Sequence, residues 1–152
     1  LLRRLMQERP NEARRITALM LIAPAWDMTE LMWSRFSTSA RRAITEDGVF
    51  VRPSAYGDGG YPITRALIED GRTHLIASAP LDPGRPVHVL HGLQDEDVPW
   101  EHTLDLAAHL TGDWVHVEAV PDGEHRLSRP EDLALLTRML DGLISSPAGG
   151  ST

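Results

Sequence analysis

The sequence contains no cysteine, which excludes disulfide bonds and catalysis by a thiolate. It has no apolar run near the roughly 18 to 20 residues that a bilayer-spanning helix needs, and no secretory signal pattern is visible. Its composition, 41% hydrophobic and 24% charged, is ordinary for a globular protein. The 152 residues therefore predict one globular, cytoplasmic domain without a membrane span.

Lysine is also absent, and the charge balance argues against a nucleic-acid partner. All 15 basic residues are arginine, and the 22 acidic residues give a net charge of −7. Arginine exceeds acid only in the first 42 residues, and acid exceeds arginine in the rest. Because proteins that bind a phosphate backbone carry the opposite balance, we expect no nucleic acid as a partner.

The first 80 residues divide into a core segment and an insertion. Residues 1–25 hold an amphipathic run that is typical of a helix entered partway, and then "ITALMLIAPA", which predicts a strand buried on both faces. From 26 to 80 the pattern changes to three short predicted helices and the turn-rich "RPSAYGDGGYPI", without a convincing buried strand. An insertion of this length and texture indicates a helical cap packed over the core.

Regular alternation of strands and helices returns in residues 81–144. "VHVLH" and "WVHVEAV" predict strands, and "PWEHTLDLAAHL" between them predicts a helix. The loop "PDGEH" follows, and then a last helix that we expect to begin with a capping box from Ser128 to Glu131. Residues 145–152, "SSPAGGST", predict a disordered tail.

This βαβ pattern brings two polar side chains to one edge of the predicted sheet. The two strands must be parallel, so the loops that follow them leave at the same edge, where ligands bind in open α/β folds. Asp95 lies in the first loop and His125 in the second. We expect them to meet, as the acid and the base of a triad that activates a nucleophile.

The acidic residues near this edge, and His125 itself, have alternative interpretations. Asp97 is the alternative partner of the histidine, although it and Glu96 also suit the start of the next helix. Asp27 follows the first strand and could reach the same edge, but we prefer it as the N-cap of the helix "MTELMW". For His125 the alternative is a loop histidine bonded to nearby backbone.

The motifs "HGLQDEDVPW" and "DGEHRLSRPEDL" resemble the C-terminal part of α/β-hydrolase-fold serine hydrolases. The similar branch contains the mitochondrial acyl-protein thioesterases and bacterial esterase or peptidase-like relatives, and "LMLIAPAWDMTE" and "YPITRALIEDG" fit it too. The resemblance covers roughly residues 1 to 143. It implies a partial α/β-hydrolase fold with three C-terminal parallel strands, Asp95 and His125 as catalytic acid and base, and an acyl ester or thioester substrate.

The sequence departs from that family in one essential feature. The family's nucleophilic serine lies in a G-x-S-x-G motif, which occurs nowhere in these residues. We therefore expect the nucleophile and the oxyanion hole to lie outside this chain, and the chain alone to be inactive. The second hypothesis is a non-catalytic interaction module that keeps a partial fold.

Further sites are less clearly indicated. Trp26, Met32 and Trp33 belong to an apolar group after the first strand, which predicts either core packing or an acyl pocket under the cap. His88 and His91 face opposite sides of a strand, and His102 and His109 lie two turns apart, so we expect no metal and no cofactor. The apolar edge of the strand in residues 16–25 predicts self-association.

Overall fold

The computed structural model describes residues 2–53, 60–112 and 115–145, and these form two compact units. The first unit combines residues 1–26 with 79–152, and the second comprises residues 27–78. The elements, in chain order, are α1 (Leu2–Glu8), α2 (Pro10–Ala13), β1 (Leu19–Ile22), α3 (Met28–Arg35), α4 (Thr38–Arg42), β2 (Val49–Arg52), β3 (Tyr61–Thr64), α5 (Arg65–Arg72), β4 (Val87–Gly92), α6 (Trp100–His109), β5 (Val115–Val120) and α7 (Pro130–Ser145).

The first unit contains a parallel sheet in the order β1-β4-β5. Leu19 pairs with Val87, and Val87 pairs with Val115, so all three strands run in the same direction. Five of the six residues of β4 are buried, as expected for the central strand of a parallel sheet. The predicted class, α/β with three parallel strands and flanking helices, is confirmed.

The prediction that the first strand is buried on both faces is wrong. β1 has four residues, of which three are half-buried, and Ile22 is 43% exposed. The reason is its position at the edge of the described sheet, where β4 is its only strand neighbour. An apolar run alone does not distinguish an edge strand with a half-covered face from a central one.

Helix α7 packs on the sheet through an apolar cluster, but it begins differently from the prediction. Leu135, Leu136 and Met139 contact the buried residues Leu90, Val120 and Leu127. The expected capping box from Ser128 to Glu131 is wrong, because Asp132 takes the third helical position. Its carboxylate accepts the backbone N–H of Arg129 at 3.1 Å.

The second unit surrounds a cluster of three buried isoleucines, Ile44, Ile63 and Ile68. α4 continues into one π-helical turn at Ala43–Asp47, and β2 and β3 pair as an antiparallel hairpin. Sequence reasoning missed this hairpin because each strand has only four residues and most of their side chains are exposed. Residues 54–59 of the predicted turn-rich segment, the first residue of the strand predicted from Trp114, and residues 146–152 of the predicted tail lie outside the described residues.

No helix in the described parts of the chain combines the length and the apolar character that crossing a bilayer requires.

Two helical glycines test the packing of α3 against α5 in the second unit, with the glycine of α7 in the first unit as the control. A Cβ at Gly71 of α5 would overlap with the buried side chain of Thr29 on α3, whereas a Cβ at Gly142 of α7 meets open space. Alanine raises helix propensity by about 1 kcal/mol over glycine, but overpacking costs about 1–3 kcal/mol. We expect Gly71→Ala to lower the free energy of unfolding in urea and Gly142→Ala to raise it. Stabilisation by both substitutions would contradict the close α3–α5 contact.

Candidate active site

The loops after β4 and β5 are joined to each other by backbone hydrogen bonds. The Leu93 N–H donates to the Val120 carbonyl and the Gln94 N–H to the Gly123 carbonyl, each at 2.9 Å. A Cβ at Gly92 would overlap with the Gly123 carbonyl, so glycine is required where the two loops approach. The parallel register thus continues beyond the strands and sets the spacing of the two loops.

Asp95 and His125 meet at this edge, as the strand pattern predicts. Asp95 Oδ2 lies 2.8 Å from His125 Nδ1, and the Asp95 side chain is 1% exposed whereas that of His125 is 43% exposed. Asp95 Oδ1 accepts the backbone N–H groups of Asp97 and Val98, both at 2.8 Å. Three donors therefore satisfy a buried carboxylate, which fixes its orientation toward the imidazole.

The hydrogen bond determines what the imidazole can do. Because a carboxylate only accepts, His125 carries its proton on Nδ1, and Nε2 of the neutral ring keeps a free lone pair. Nε2 has no hydrogen-bond partner among the described residues, and the ring is partly open to solvent. This arrangement can take up a proton at Nε2 and stabilise the resulting imidazolium through Asp95.

Asp97 is not the partner of the histidine in this geometry. Its backbone N–H serves Asp95, while its own side chain is exposed. The expectation that the acids before α6 cap that helix is wrong, since Pro99 occupies the N-cap position without a side-chain cap bond. The turn made by Asp95 takes the local N–H groups before the helix begins.

A guanidinium group fixes the loop that carries His125. Arg129 donates to both carboxylate oxygens of Asp122, at 2.7 and 3.1 Å, and to both oxygens of Asp132, at 2.8 and 2.9 Å. These hydrogen bonds lower the pKa of both carboxyl groups below the ordinary value. The pairs join the start of the loop to the start of α7, on either side of His125.

His91 is a further residue of the site that sequence reasoning treated only as a poor metal ligand. It lies at the end of β4, is fully buried, and has Nε2 3.7 Å from Asp95 Oδ2. Burial lowers the pKa of His91, with the Asp95 charge acting in the opposite direction. The sequence signal that could have identified it is its position directly before Gly92, four residues from the acid.

Trp26 has a structural role within the first unit. Its Nε1–H donates to the His102 carbonyl at 2.8 Å, and its own carbonyl accepts a hydrogen bond from His102 Nε2 at 2.6 Å. Its ring stacks on His102 and His109 of α6, at centroid distances of 5.2 and 5.5 Å. These contacts anchor the chain after β1 to α6.

Met32 and Trp33 lie in the second unit and pack against its isoleucine cluster. The Trp33 ring also lies 5.7 Å from the Arg41 guanidinium and 5.0 Å from that of Arg72. These contacts agree with core packing, which was one of the two predicted roles. The other role, contact with a substrate, stays a prediction for both residues.

Asp27 occupies the N-cap position of α3, as expected, but makes no side-chain cap bond there. Its two carboxylate oxygens instead accept the N–H groups of Ile76 and Ala77, at 2.8 and 2.9 Å. The residue ties the two ends of the second unit together.

One group of side chains in the described ranges could offer ligands to a metal ion. Single atoms of Asp95, Asp97 and His125 lie within 4.8 Å of one another. Both Asp95 oxygens and His125 Nδ1 already make hydrogen bonds, so a metal would compete with the pair described above. This arrangement fits an acid–base pair better than a metal centre.

The chain is similar to known hydrolases. No family model matches it. Over 131 residues it is 30% identical to mouse (Mus musculus) palmitoyl-protein thioesterase ABHD10, mitochondrial, a match that covers 86% of this chain and 44% of that protein. The chain thus spans less than half the length of the curated relatives it matches.

Two solved structures share its fold. A putative hydrolase from Agrobacterium vitis S4 has a TM-score of 0.80 at 39% identity, covering 85% of this chain and 50% of that one. The mouse α/β hydrolase domain-containing protein 10 has a TM-score of 0.80 at 29% identity, covering 94% and 56%. The chain therefore has a partial α/β-hydrolase fold, and the resemblance to serine hydrolases of the acyl-protein thioesterase branch is confirmed.

Two histidines on β4 should make stability depend on pH. Burial lowers the pKa of His88 and His91 below the ordinary value of 6.5, and the nearby His116 lowers that of His88 further. The unfolded chain therefore takes up protons near pH 6.5 that the folded chain does not bind. The stabilisation is complete above that pH and is lost as the pH falls below it, by at most about 1.4 kcal/mol per pH unit for each histidine.

Urea unfolding at pH 7.5 and 5.5 measures this effect. We expect a smaller free energy of unfolding at pH 5.5, and a weaker pH dependence in His88→Gln, which cannot be protonated. Equal stability at the two pH values would show that these histidines are not held neutral by the fold.

Proposed function

We propose that this chain supplies the acid and the base of a Ser-His-Asp triad in a hydrolase that cleaves acyl ester or thioester bonds. The 2.8 Å hydrogen bond between the buried Asp95 carboxylate and His125 Nδ1 is the observation that carries the proposal. The sequence contains no G-x-S-x-G motif, so the nucleophile and the oxyanion hole would come from residues outside these 152.

The proposed reaction proceeds through an acyl-enzyme. His125 Nε2 takes the proton of the serine hydroxyl as the oxygen attacks the acyl carbonyl, and Asp95 stabilises the imidazolium. The imidazolium then protonates the departing alcohol or thiol, which leaves the acyl group on the serine. Water, deprotonated by His125, releases the acid in a second addition and elimination.

Similarity favours a thioester with a long acyl chain as the first substrate to test. The mouse relative is named a palmitoyl-protein thioesterase, and we extend that activity to this chain as part of the proposal. Residues 26–80 would serve as the cap, with Trp26, Met32 and Trp33 as the candidate substrate contacts.

One observation favours a second candidate, a non-catalytic interaction module. β1 has one strand neighbour among the described elements, and its other edge could pair with a partner or a second copy. The DNA upstream of Leu1 distinguishes the two candidates. An in-frame G-x-S-x-G motif would support the hydrolase, and a start codon without that motif would support the interaction module.

Substitutions at Asp95 and Asp97 in the full-length product of the gene test the proposed triad. We expect Asp95→Asn to lower kcat for a palmitoyl thioester about 10⁴-fold, because an amide holds the wrong imidazole tautomer. His125→Ala should cost at least as much. Asp97→Asn is the matched control and should remain within about threefold of the wild type, since the hydrogen bond to His125 Nδ1 comes from Asp95.

The three variants also distinguish the competing chemistries. A large loss in Asp97→Asn together with Asp95→Asn, reversed by added divalent metal, would favour a metal centre over the triad. Wild-type turnover that survives Asp95→Asn and His125→Ala would overturn the proposal.

The 152 residues alone should hydrolyse esters at the background rate. A triad enzyme without its nucleophile retains about 10³–10⁴-fold acceleration from its oxyanion hole and substrate binding, and here the proposed hole is also outside the chain. A fluorophosphonate probe should therefore label none of its serines selectively. Stoichiometric labelling of one serine would show that the nucleophile lies within these residues.

A further inference from the structure

His91 contacts three parts of the site at once. It is the penultimate residue of β4. Its Nδ1 lies 2.7 Å from Thr103 Oγ1 on α6, and its Nε2 lies 3.1 Å from the Val98 carbonyl in the loop that carries Asp95. Both His91 and Thr103 have 0% exposure. The Trp100 ring packs edge-on against the imidazole at a centroid distance of 5.5 Å. Water therefore has no access to these two hydrogen bonds.

The hydrogen bonds fix the tautomer of His91. A carbonyl oxygen only accepts, so Nε2 must carry the proton that is donated to Val98. The neutral ring has one N–H, which leaves Nδ1 as the acceptor and the Thr103 hydroxyl as its donor. In the opposite tautomer, the Nε2 lone pair would face two acceptors, the Val98 carbonyl and Asp95 Oδ2, the latter at 3.7 Å.

Val98 connects His91 to the acid through its two backbone polar groups, which belong to successive peptide units. Its carbonyl accepts from His91, and its N–H donates to Asp95 Oδ1 at 2.8 Å. The other oxygen of the same carboxylate accepts from His125. A continuous series of hydrogen bonds therefore runs from Thr103 through His91 and Val98 to Asp95 and His125.

We propose that His91, oriented by the Thr103 hydroxyl, is a positioning residue that holds Asp95 in the orientation that selects the Nδ1–H tautomer of His125. Its effect on turnover rests on the proposed function, whereas its effect on the imidazoles does not. Loss of the Thr103 hydroxyl leaves the buried Nδ1 without a donor, so the imidazole loses one of the two hydrogen bonds that orient it and the Asp95 loop loses its single arrangement.

Thr103→Val removes the hydroxyl with little change in shape, and Thr103→Ser restores it. In the full-length product of the gene, we expect Thr103→Val to lower kcat for a palmitoyl thioester about 10- to 100-fold with KM nearly unchanged, because the catalytic group would be displaced while substrate binding is retained. Thr103→Ser should recover most of that loss. Thr137→Val on α7 is the control, since its hydroxyl bonds to the Leu133 carbonyl of its own helix at 2.8 Å.

Nitrogen-15 NMR of the labelled histidines gives a readout that a merely structural role would not change. The wild type should show His91 protonated at Nε2 and His125 protonated at Nδ1. Thr103→Val should convert His125 to a mixture of tautomers, and Thr137→Val should not. His91 protonated at Nδ1 in the wild type would overturn the proposal even if no variant folds.

The two arms separate this proposal from the proposed function. If the wild type hydrolyses no acyl ester or thioester, the triad proposal fails, and the tautomer of His125 in Thr103→Val decides the role of His91. If the wild type is active and Thr103→Val changes neither kcat nor the tautomers, the role of His91 is overturned while the triad stands.

Discussion

The parallel pairing of β4 with β5 is the constraint on which the site depends. Its register runs from Val87 opposite Val115 to Gly92 opposite Val120, and it continues as backbone hydrogen bonds between the following loops. A shift of one residue in either strand would reverse the facing of every side chain and move Asp95 or His125 out of reach. The 2.8 Å bond between them is thus a consequence of the sheet, and the loops could not make it independently.

Burial explains why one acid of the "DED" cluster differs from its neighbours. A buried carboxylate is costly unless donors surround it, and Asp95 has three, of which two are backbone groups in its own turn. Asp132 follows the same rule with Arg129 as its donor. Glu96 and Asp97 remain exposed, so water solvates their charges. The crowding of charge is tolerated because only one of the three groups leaves the solvent.

Sequence reasoning was most successful where strand periodicity and chain direction determine geometry. The order β4, α6, β5 follows from hydrophobic patterns, and right-handed parallel connection then brings Asp95 and His125 to one edge. It failed where the sequence pattern is too short or too ambiguous to determine the geometry. The four-residue strands of the β2–β3 hairpin carry no clear alternation, and the pairing of Asp132 with Arg129 depends on where α7 begins. The position of His91 directly before Gly92 could have indicated that it lies near the acid, but no sequence pattern shows that Thr103 on α6 faces it.

Among the described residues, the hydrogen bonds that orient Asp95 and His125 come from residues 91–132 of the first unit. Asp95 is held by its own turn and by His125, His91 is held by Thr103 and Val98, and the histidine loop is held by Arg129. None of these bonds needs a nucleophile to form. In a triad built this way, the serine would meet a base whose tautomer and direction are already set, and the energy of ordering that base would be part of folding and not of catalysis. This ordering of the pair supports the proposed general base over the proposed interaction module, whose packing would not require it.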